Sequence, residues 1–452
     1  MSTPKFRIAI CGGGVGGLTL ALALSQYPDI VVDVYEAAQS FYEIGAGFGI
    51  WPRAFKVLRK LGHDFEQQLV QRCGYNFTEE YVPGIQHRKS DQPVGFHLFD
   101  MVTKGNQLRF HRADFHGVLL SNLPPSCKTH NAKRLKSYIQ PDRSRKSPIT
   151  LIFRDGSTAT CDILIGADGV KSAVRPCMMR ELAEGMDPDS KQSVLSCSNP
   201  IWSGVTAYRT LISAEKLRAR CPDHRVFSGG FTQADAFKFF LGYPISLGKY
   251  INIAGFTLQS DLVNTAYEAD ARIPRRSFEG KADSDWVGEL TAEQFVKPFK
   301  NFEKDAQVLL ECVEKGTLWA VHTVKTLPST NFGRVALLGD AAHAMLPFQG
   351  AGASQSIEDA YLLATVLGHK ATTLDTVPRA LAIYDKLRRP FSSDVALRSR
   401  LNGQLFAFQT DVPLHELGNT VTKNWEWAWL TELDGALEEA VRLVENSSIN
   451  IS

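Results

Sequence analysis

Six residues constrain this chain most: Gly12-Gly13-Gly14-Val15-Gly16-Gly17, set between a short apolar run and a Leu/Ala-rich segment. Before them, Lys5 to Cys11 reads as a buried strand that ends at glycine. After them, Leu18 to Gln26 reads as a helix, and Ile30 to Glu36, with Val31, Val32 and Val34, as a second strand. Such a βαβ unit predicts a parallel sheet. Gly12, Gly14 and Gly17 fit G-x-G-x-x-G. The first permits a tight turn, the second lets backbone approach a pyrophosphate, and the third lets helix and strand pack closely. The helix N-terminus then presents free N–H groups and the positive end of its dipole to the phosphates. Glu36 closes the second strand 19 residues after Gly17. A carboxylate there binds a ribose hydroxyl. A dinucleotide site is expected, although this motif alone does not separate FAD from NAD.

At 452 residues the chain exceeds one comfortable hydrophobic core, so two domains or one core with large insertions are expected. Its 50 basic and 48 acidic residues nearly cancel. No field of one sign calls for nucleic acid or a membrane as partner. The eight cysteines are scattered with no C-x-x-C pair. That argues against zinc or any other metal site and against a disulfide framework, and for a reducing, cytoplasmic setting. The apolar run from Ile8 to Leu24 follows Lys5 and Arg7, as in a secretory leader. Its glycine turn and short length argue against both a leader and a membrane span.

Along the rest of the chain, Ala54 to Leu61 reads as a helix ended by Gly62, and Gly74 to Gln107 as strands. Asp114 to Asn122 reads as a helix stopped by Pro124 and Pro125. Ile149 to Arg154 and Ser157 to Ile165 read as a hairpin about Asp155-Gly156. Pro200 to Leu258 is strand-rich, Tyr267 to Asp285 reads as a charged surface loop, and Thr291 to Lys315 as helical. Val335 to Leu338 reads as a central strand. Ile357 to Gly368 and Val377 to Arg400 read as helices before a helical tail, in which Trp425, Trp427 and Trp429 are packing residues. The expected fold is α/β: a discontinuous Rossmann-like domain (1–75, 106–178 and 325–395) with an inserted antiparallel-sheet substrate domain (76–105 and 179–324). A helical C-terminal region (396–452) follows.

Two further motifs stand out. One runs from Asp162 through Asp168-Gly169 and Ser172 to Arg175. The other is Gly339-Asp340-Ala341-Ala342-His343, followed by Pro347 and Gly350-Ala351-Gly352. Asp340 follows the apolar strand at its carboxyl end, where open α/β sheets bind ligands. The glycine turn after Pro347 precedes a helix starting near Gln355, whose N–H groups suit an anionic ring system. In this order the three motifs resemble those of the group A FAD-dependent aromatic monooxygenases, which share the para-hydroxybenzoate-hydroxylase fold. The salicylate-hydroxylase-like branch is closest, through Glu43-Ile44-Gly45-Ala46-Gly47, Ser203-Gly204 to Tyr208-Arg209, and Glu358-Asp359-Ala360. The resemblance implies bound FAD, held by the first motif at its pyrophosphate and by Asp340 at its ribityl chain. Ala46, Gly47, Arg112, Pro347, Gly350, Ala351 and Gly352 complete that set, and His343 is structural. Asp168 and Gly169 would serve both FAD and the nicotinamide. There is no second G-x-G-x-x-G, which suits an NADH or NADPH that binds briefly and leaves.

The implied reaction hydroxylates a small phenolic or aromatic acid substrate with NAD(P)H and O2 through a flavin hydroperoxide. The protein orients the ring, excludes water and assists phenol deprotonation. Candidate catalytic residues are Arg209, a permanent bidentate cation; Tyr208 beside it; Tyr243, at a position that often meets substrate in this family; and His322, as a general base. Two departures from the family pattern stand out. Phe348 replaces the histidine usual after the motif proline in salicylate hydroxylases, which puts decarboxylative hydroxylation in doubt. Arg53 replaces the usual asparagine after Pro52, either reaching the flavin or substrate edge or solvated. An epoxidase or dearomatising hydroxylase of natural-product synthesis is the alternative, and a non-catalytic escort of the same fold a third reading. The chain is expected to be a monomer or homodimer.

Overall fold

A computed structural model describes residues 4–39, 47–73, 76–141, 147–265, 267–268 and 286–449. The first layer is a six-stranded sheet ordered Asn331–Phe332, Val335–Leu337, Ile163–Gly166, Phe6–Cys11, Ile30–Tyr35 and Lys128–His130. All its pairings are parallel except the edge pair Asn331–Phe332 with Val335–Leu337. Cys11 pairs with Gly166, and Gly166 with Leu337, so three strands end level with one another. The helix Val15–Leu24 has all ten residues buried and packs on the helix Gly352–Gly368. Burial on all sides explains why it is apolar around its whole circumference rather than along one stripe. Close approach fixes the glycines: a Cβ on Gly12 (φ +112°) would stand 2.2 Å from the Ala167 carbonyl oxygen, and one on Gly17 2.0 Å from that of Gly12.

The hairpin expected over Ile149 to Ile165 is only half a hairpin. Ile149–Phe153 and Thr158–Cys161 pair antiparallel beside Leu135–Ile139, but Ile163–Gly166 leaves them for the centre of the parallel sheet. Asp162 makes the step. Its carboxylate accepts the Arg7 backbone N–H (2.8 Å), and its carbonyl accepts the Arg334 guanidinium (2.8 Å). Hydrophobic alternation alone does not distinguish a turn back from a crossover.

The second layer is an eight-stranded sheet ordered Val287–Thr291, Lys315–Thr323, Ile201–Ser213, Tyr250–Leu258, Lys238–Ile245, Gly230–Asp235, Tyr81–Lys89 and Phe96–Lys104. It is antiparallel except where Gly230–Asp235 runs parallel to Tyr81–Lys89. After residue 179 its strands begin at Ile201, and the helices Val174–Leu182 and Pro188–Leu195 before it bury Met178, Met179 and Val194 in the core of the first layer. Alternate residues divide between two cores. Ala207, Phe239, Ala254 and Phe256 face inward, with Trp51 and Phe348, whereas Tyr208, Phe240, Ile251 and Ile253 face outward, with Phe295 and Phe299.

One helix runs unbroken from Val377 to Phe406. The tail then divides. Leu414–Trp425 and Trp427–Leu430 enter the core between the layers, and Asp434–Ile449 returns to the first layer through Ala440 and Val444. The residues from Glu43 to Ala46 and most of the charged stretch expected to be a surface loop lie outside the described residues. No described helix is long and apolar enough to cross a membrane, and the described residues hold no cluster of metal-ligating side chains.

Candidate active site

The three motifs converge at the level carboxyl ends of Phe6–Cys11, Ile163–Gly166 and Val335–Leu337. Gly12 touches Ala167 and Asp168, Leu338 N–H donates to the Gly166 carbonyl (3.0 Å), and Gly16 packs against Leu338. In front of them the chain leaves space. A Cβ on Gly14 or Gly169 would meet nothing within 4 Å, and one on Gly352 would lie 3.8 Å from Asp340 Oδ1. Glu36 is held at the rim, its Oε2 accepting Gly13 N–H (2.9 Å) and its Oε1 Ala38 N–H (2.7 Å). Asp168 Oδ2 accepts the N–H groups of Ala173 (2.7 Å) and Val174 (3.2 Å), while its Oδ1 is buried without a partner. Burial raises the Asp168 pKa despite these hydrogen bonds. Gly339 (φ +60°) turns Asp340 outward, leaving its carboxylate exposed at the start of Asp340–His343. An open glycine cradle, an orphaned buried carboxylate oxygen and a free helix terminus fit a dinucleotide diphosphate with its sugar hydroxyls.

Behind this recess lies a closed ionic network. Asp359 accepts Gly339 N–H (3.1 Å), His343 Nε2 (2.6 Å) and Arg388 Nε (2.8 Å). Burial pushes the Asp359 pKa up, but His343 and Arg388 outweigh it and hold it at about 2. Glu358 receives Arg388 (2.8 Å) and both Nε and Nη2 of Arg53 (3.0 and 3.1 Å). Arg53 is therefore neither at a substrate edge nor solvated. It is buried, and it also reaches Thr431 Oγ1 (2.6 Å) and the Glu432 carbonyl (2.8 Å). A buried guanidinium needs a carboxylate this close.

The inner face of the eight-stranded sheet closes the front. Arg209 and Tyr243 come together there. Both sit deep yet keep part of their surface open to the space before the sheet. Burial lowers the Arg209 pKa and raises that of Tyr243, and each opposes that shift in the other. No carboxylate pairs with Arg209 among the described residues. Arg109 stands over the Tyr243 ring, 5.5 Å from its centroid, and Arg112 adds positive charge near Arg209. At the other end Phe348 packs on Phe239 and Phe256 (both 5.3 Å between centroids). The face is thus cationic at one end and apolar at the other.

Two expected catalytic residues are elsewhere. Tyr208 points outward, edge-on to Phe295 and Phe299. His322 stacks on Trp286 (3.5 Å, 12°) and its Nδ1 donates to the Ala320 carbonyl (2.9 Å). Burial lowers its pKa to about 4. The same indole carries Lys171 Nζ, 4.0 Å from its centroid. Sequence reasoning missed Arg109 and Asn252. Arg109 lies on Leu108–His111, three residues before Arg112, the arginine that the family motif marked. Asn252 is buried, its Oδ1 accepting Gly47 N–H (3.0 Å) and so tying the sheet to the strand Gly47–Ile50. A lone asparagine in an apolar strand was its only signal.

The chain matches the FAD binding domain family over residues 5–199 and 260–399. It belongs to that family. This FAD-binding protein is 35% identical to the FAD-dependent monooxygenase str9 of Strobilurus tenacellus, over 98% of each chain. It is 33% identical to a salicylate hydroxylase of Pseudomonas putida, over 97% of this chain and 94% of that one. Among solved structures it superposes on a salicylate hydroxylase substrate complex with a TM-score of 0.78 at 28% identity, covering 98% of both chains. It is an FAD-dependent monooxygenase of the aromatic hydroxylase class, with the α/β fold expected for it. FAD is its resident cofactor and NADH or NADPH its transient reductant.

Proposed function

We propose that the enzyme hydroxylates a small aromatic compound bearing a carboxylate or phenolate, with the anionic group held by Arg209 beside Tyr243. One observation carries this reading: a largely buried arginine with no carboxylate partner among the described residues faces the recess, with Arg109 and Arg112 near it. A desolvated guanidinium is costly unless an anion meets it, and its planar fork suits a carboxylate. Phe239, Phe256 and Phe348 form the opposite wall, which takes an apolar ring edge or substituent. The two unlike ends orient the ring. FAD, when bound, supplies the two-electron chemistry by taking hydride from the nicotinamide and activating O2.

Gly12, Gly14 and Gly17 hold the pyrophosphate, and Glu36 the adenosine ribose. Asp340 and the turn from Pro347 to Gly352 hold the flavin end, with Gly47, Arg112, Asp168 and Gly169 around it. Tyr243 is the group placed to exchange a hydrogen bond with the substrate oxygen, and the nearby arginines favour an ionised phenol. Phe348 offers no proton acceptor, which favours plain hydroxylation over a decarboxylating course. NAD(P)H consumption and product masses across a panel of phenols, aromatic acids and neutral analogues test this. We expect fast reduction and a gain of one oxygen with anionic aromatics. A preference for neutral alkenes or polycycles would overturn it in favour of an epoxidising or dearomatising enzyme, the reading that the Phe348 wall supports second.

A further inference from the structure

The segment between the motif proline and the flavin-facing glycines contains one residue that no motif explains, Gln349, and it is completely buried. An amide buried at that depth costs free energy unless its groups are bonded. Here all four polar groups are. Its backbone N–H donates to Ser399 Oγ (3.2 Å), and its carbonyl accepts Trp51 Nε1 (2.9 Å). Its side-chain Nε2 donates to the Asn424 carbonyl (3.1 Å), and its Oε1 accepts Trp427 Nε1 (3.1 Å). The four partners come from four places in the fold, and two of them from the C-terminal helices Leu414–Trp425 and Trp427–Leu430. Immediately after Gln349 the chain turns through left-handed Gly350 (φ 58°, ψ 31°) into the helix that begins at Gly352 beside Asp340. Residues 414–430 lie beyond the stretch that matches the FAD binding domain family, which ends at 399.

We propose that Gln349 is a positioning residue for the flavin, and that the C-terminal helices act on the cofactor through it. This rests on FAD occupying the recess above. Fixing the N–H and C=O of Gln349, which belong to the two peptides flanking it, and both ends of its side chain sets the path through Gly350, whose N–H is taken by the Pro347 carbonyl (2.9 Å), into the helix start at Gly352, whose first N–H groups would face the ring system that becomes anionic on reduction. A loosened turn holds reduced flavin less well than oxidised flavin.

Two tryptophans give the test its control. Trp427 Nε1 reaches Gln349, whereas Trp425 Nε1 is buried without a partner. Trp427→Phe and Trp425→Phe therefore make the same chemical change in the same segment: the first loses a hydrogen bond to Gln349, whereas the second changes only packing, edge-on against Trp51 (5.2 Å between centroids). In the FAD-loaded full chain we expect Trp427→Phe to weaken binding of reduced relative to oxidised flavin about tenfold. For a two-electron couple that lowers the midpoint potential by about 30 mV. Trp425→Phe should change the ratio less than about twofold. Fluorescence titration of apoprotein should show the FAD dissociation constant rising about tenfold for Trp427→Phe, with apoprotein melting close to that of Trp425→Phe. Gln349→Met, isosteric but without amide groups, should move the potential further in the same direction and covers the case in which Trp427→Phe misfolds. Equal potentials in both tryptophan variants, or a fall in melting with no change in potential, would overturn the proposal. A wild-type protein that retains no FAD would instead sink the reading beneath it.

Discussion

The two faces of the eight-stranded sheet are built from the same strands, residue by residue in alternation, yet they have opposite characters. The outer face is closed. Tyr208, Phe240 and Ile253 meet Phe295, Phe299 and Phe302, rings against rings, in a core that needs nothing from outside. The inner face is unfinished. Arg209 has no described carboxylate partner, Tyr243 stands between arginines, and Asn252 Nδ2 is buried without a hydrogen bond. A complete face stabilises the fold, and an incomplete one of buried polar groups marks where a ligand finishes the packing.

The largest test removes the inner cation. Arg209→Gln keeps a polar group but removes the charge and the outer fork, and kcat/KM with an anionic aromatic should fall about 100-fold, about 2.7 kcal/mol of lost charged hydrogen bonding. A neutral analogue should lose far less, so the ratio of the two substrates is the measurement. Equal losses would mean that Arg209 supports the sheet rather than the ligand. Tyr243→Phe comes next. It removes one hydroxyl from the same end and should cost about tenfold in kcat/KM, the worth of one hydrogen bond at the reacting end. Its pH–rate profile should shift most on the limb set by the substrate phenol. An unchanged profile and rate would move Tyr243 to the category of a packed ring.

Two histidines extend the comparison to pH. His87, on the inner side, lies flat between Phe99 (4.3 Å) and Phe406 (5.1 Å), and burial lowers its pKa to about 3. The folded state refuses a proton that the unfolded chain binds near pH 6.5. Stability from neutral His87 is therefore complete above about pH 6.5 and drains away as pH falls towards 3, by a total of the order of a few kcal/mol. His87→Phe should flatten the melting-temperature profile between pH 6 and about pH 4. His322, half-buried on the outer side, acts in the same direction over a narrower window, since its folded pKa is about 4. A His87→Phe profile as steep as that of the wild type would place the acid sensitivity elsewhere.

The cofactor half of this molecule was legible because it is written in contiguous strings. A glycine turn, an Asp-Gly pair and a Gly-Asp pair each specify a local backbone shape, and strand order brings them level. The substrate half was legible only in part, because facing depends on register. A bulge between Trp202 and Val205, with Gly204 at φ +74°, intervenes before Tyr208-Arg209, so the adjacent pair cannot be sorted by eye into inside and outside. Arg109 escaped for a different reason. It belongs to a strand of the nucleotide half and reaches Tyr243 only through tertiary packing. Phe348 was visible as a departure, but not its cause: its ring lies so close to the helix at Gly403 that a Cβ there would stand 2.0 Å from it. The sequence separates these positions by more than fifty residues, and no local pattern links them.

The smallest expected effect is also the sharpest on the meaning of the two faces. Tyr208 and Arg209 are chain neighbours, so any variant that merely disturbs the strand should hurt through either. Tyr208→Phe keeps the edge-on contacts with Phe295 and Phe299 and loses only the hydroxyl, which shares a hydrogen bond with Thr257. That should cost about 1 kcal/mol of stability and leave kcat/KM within about threefold of wild type for anionic and neutral substrates alike. The strand between the faces would then transmit little, and the hundredfold loss at Arg209 would belong to its side chain alone. If Tyr208→Phe instead lowered kcat/KM tenfold with melting unchanged, the outer hydroxyl would be acting on the inner site through the sheet, and the division drawn between the two faces would have to be given up.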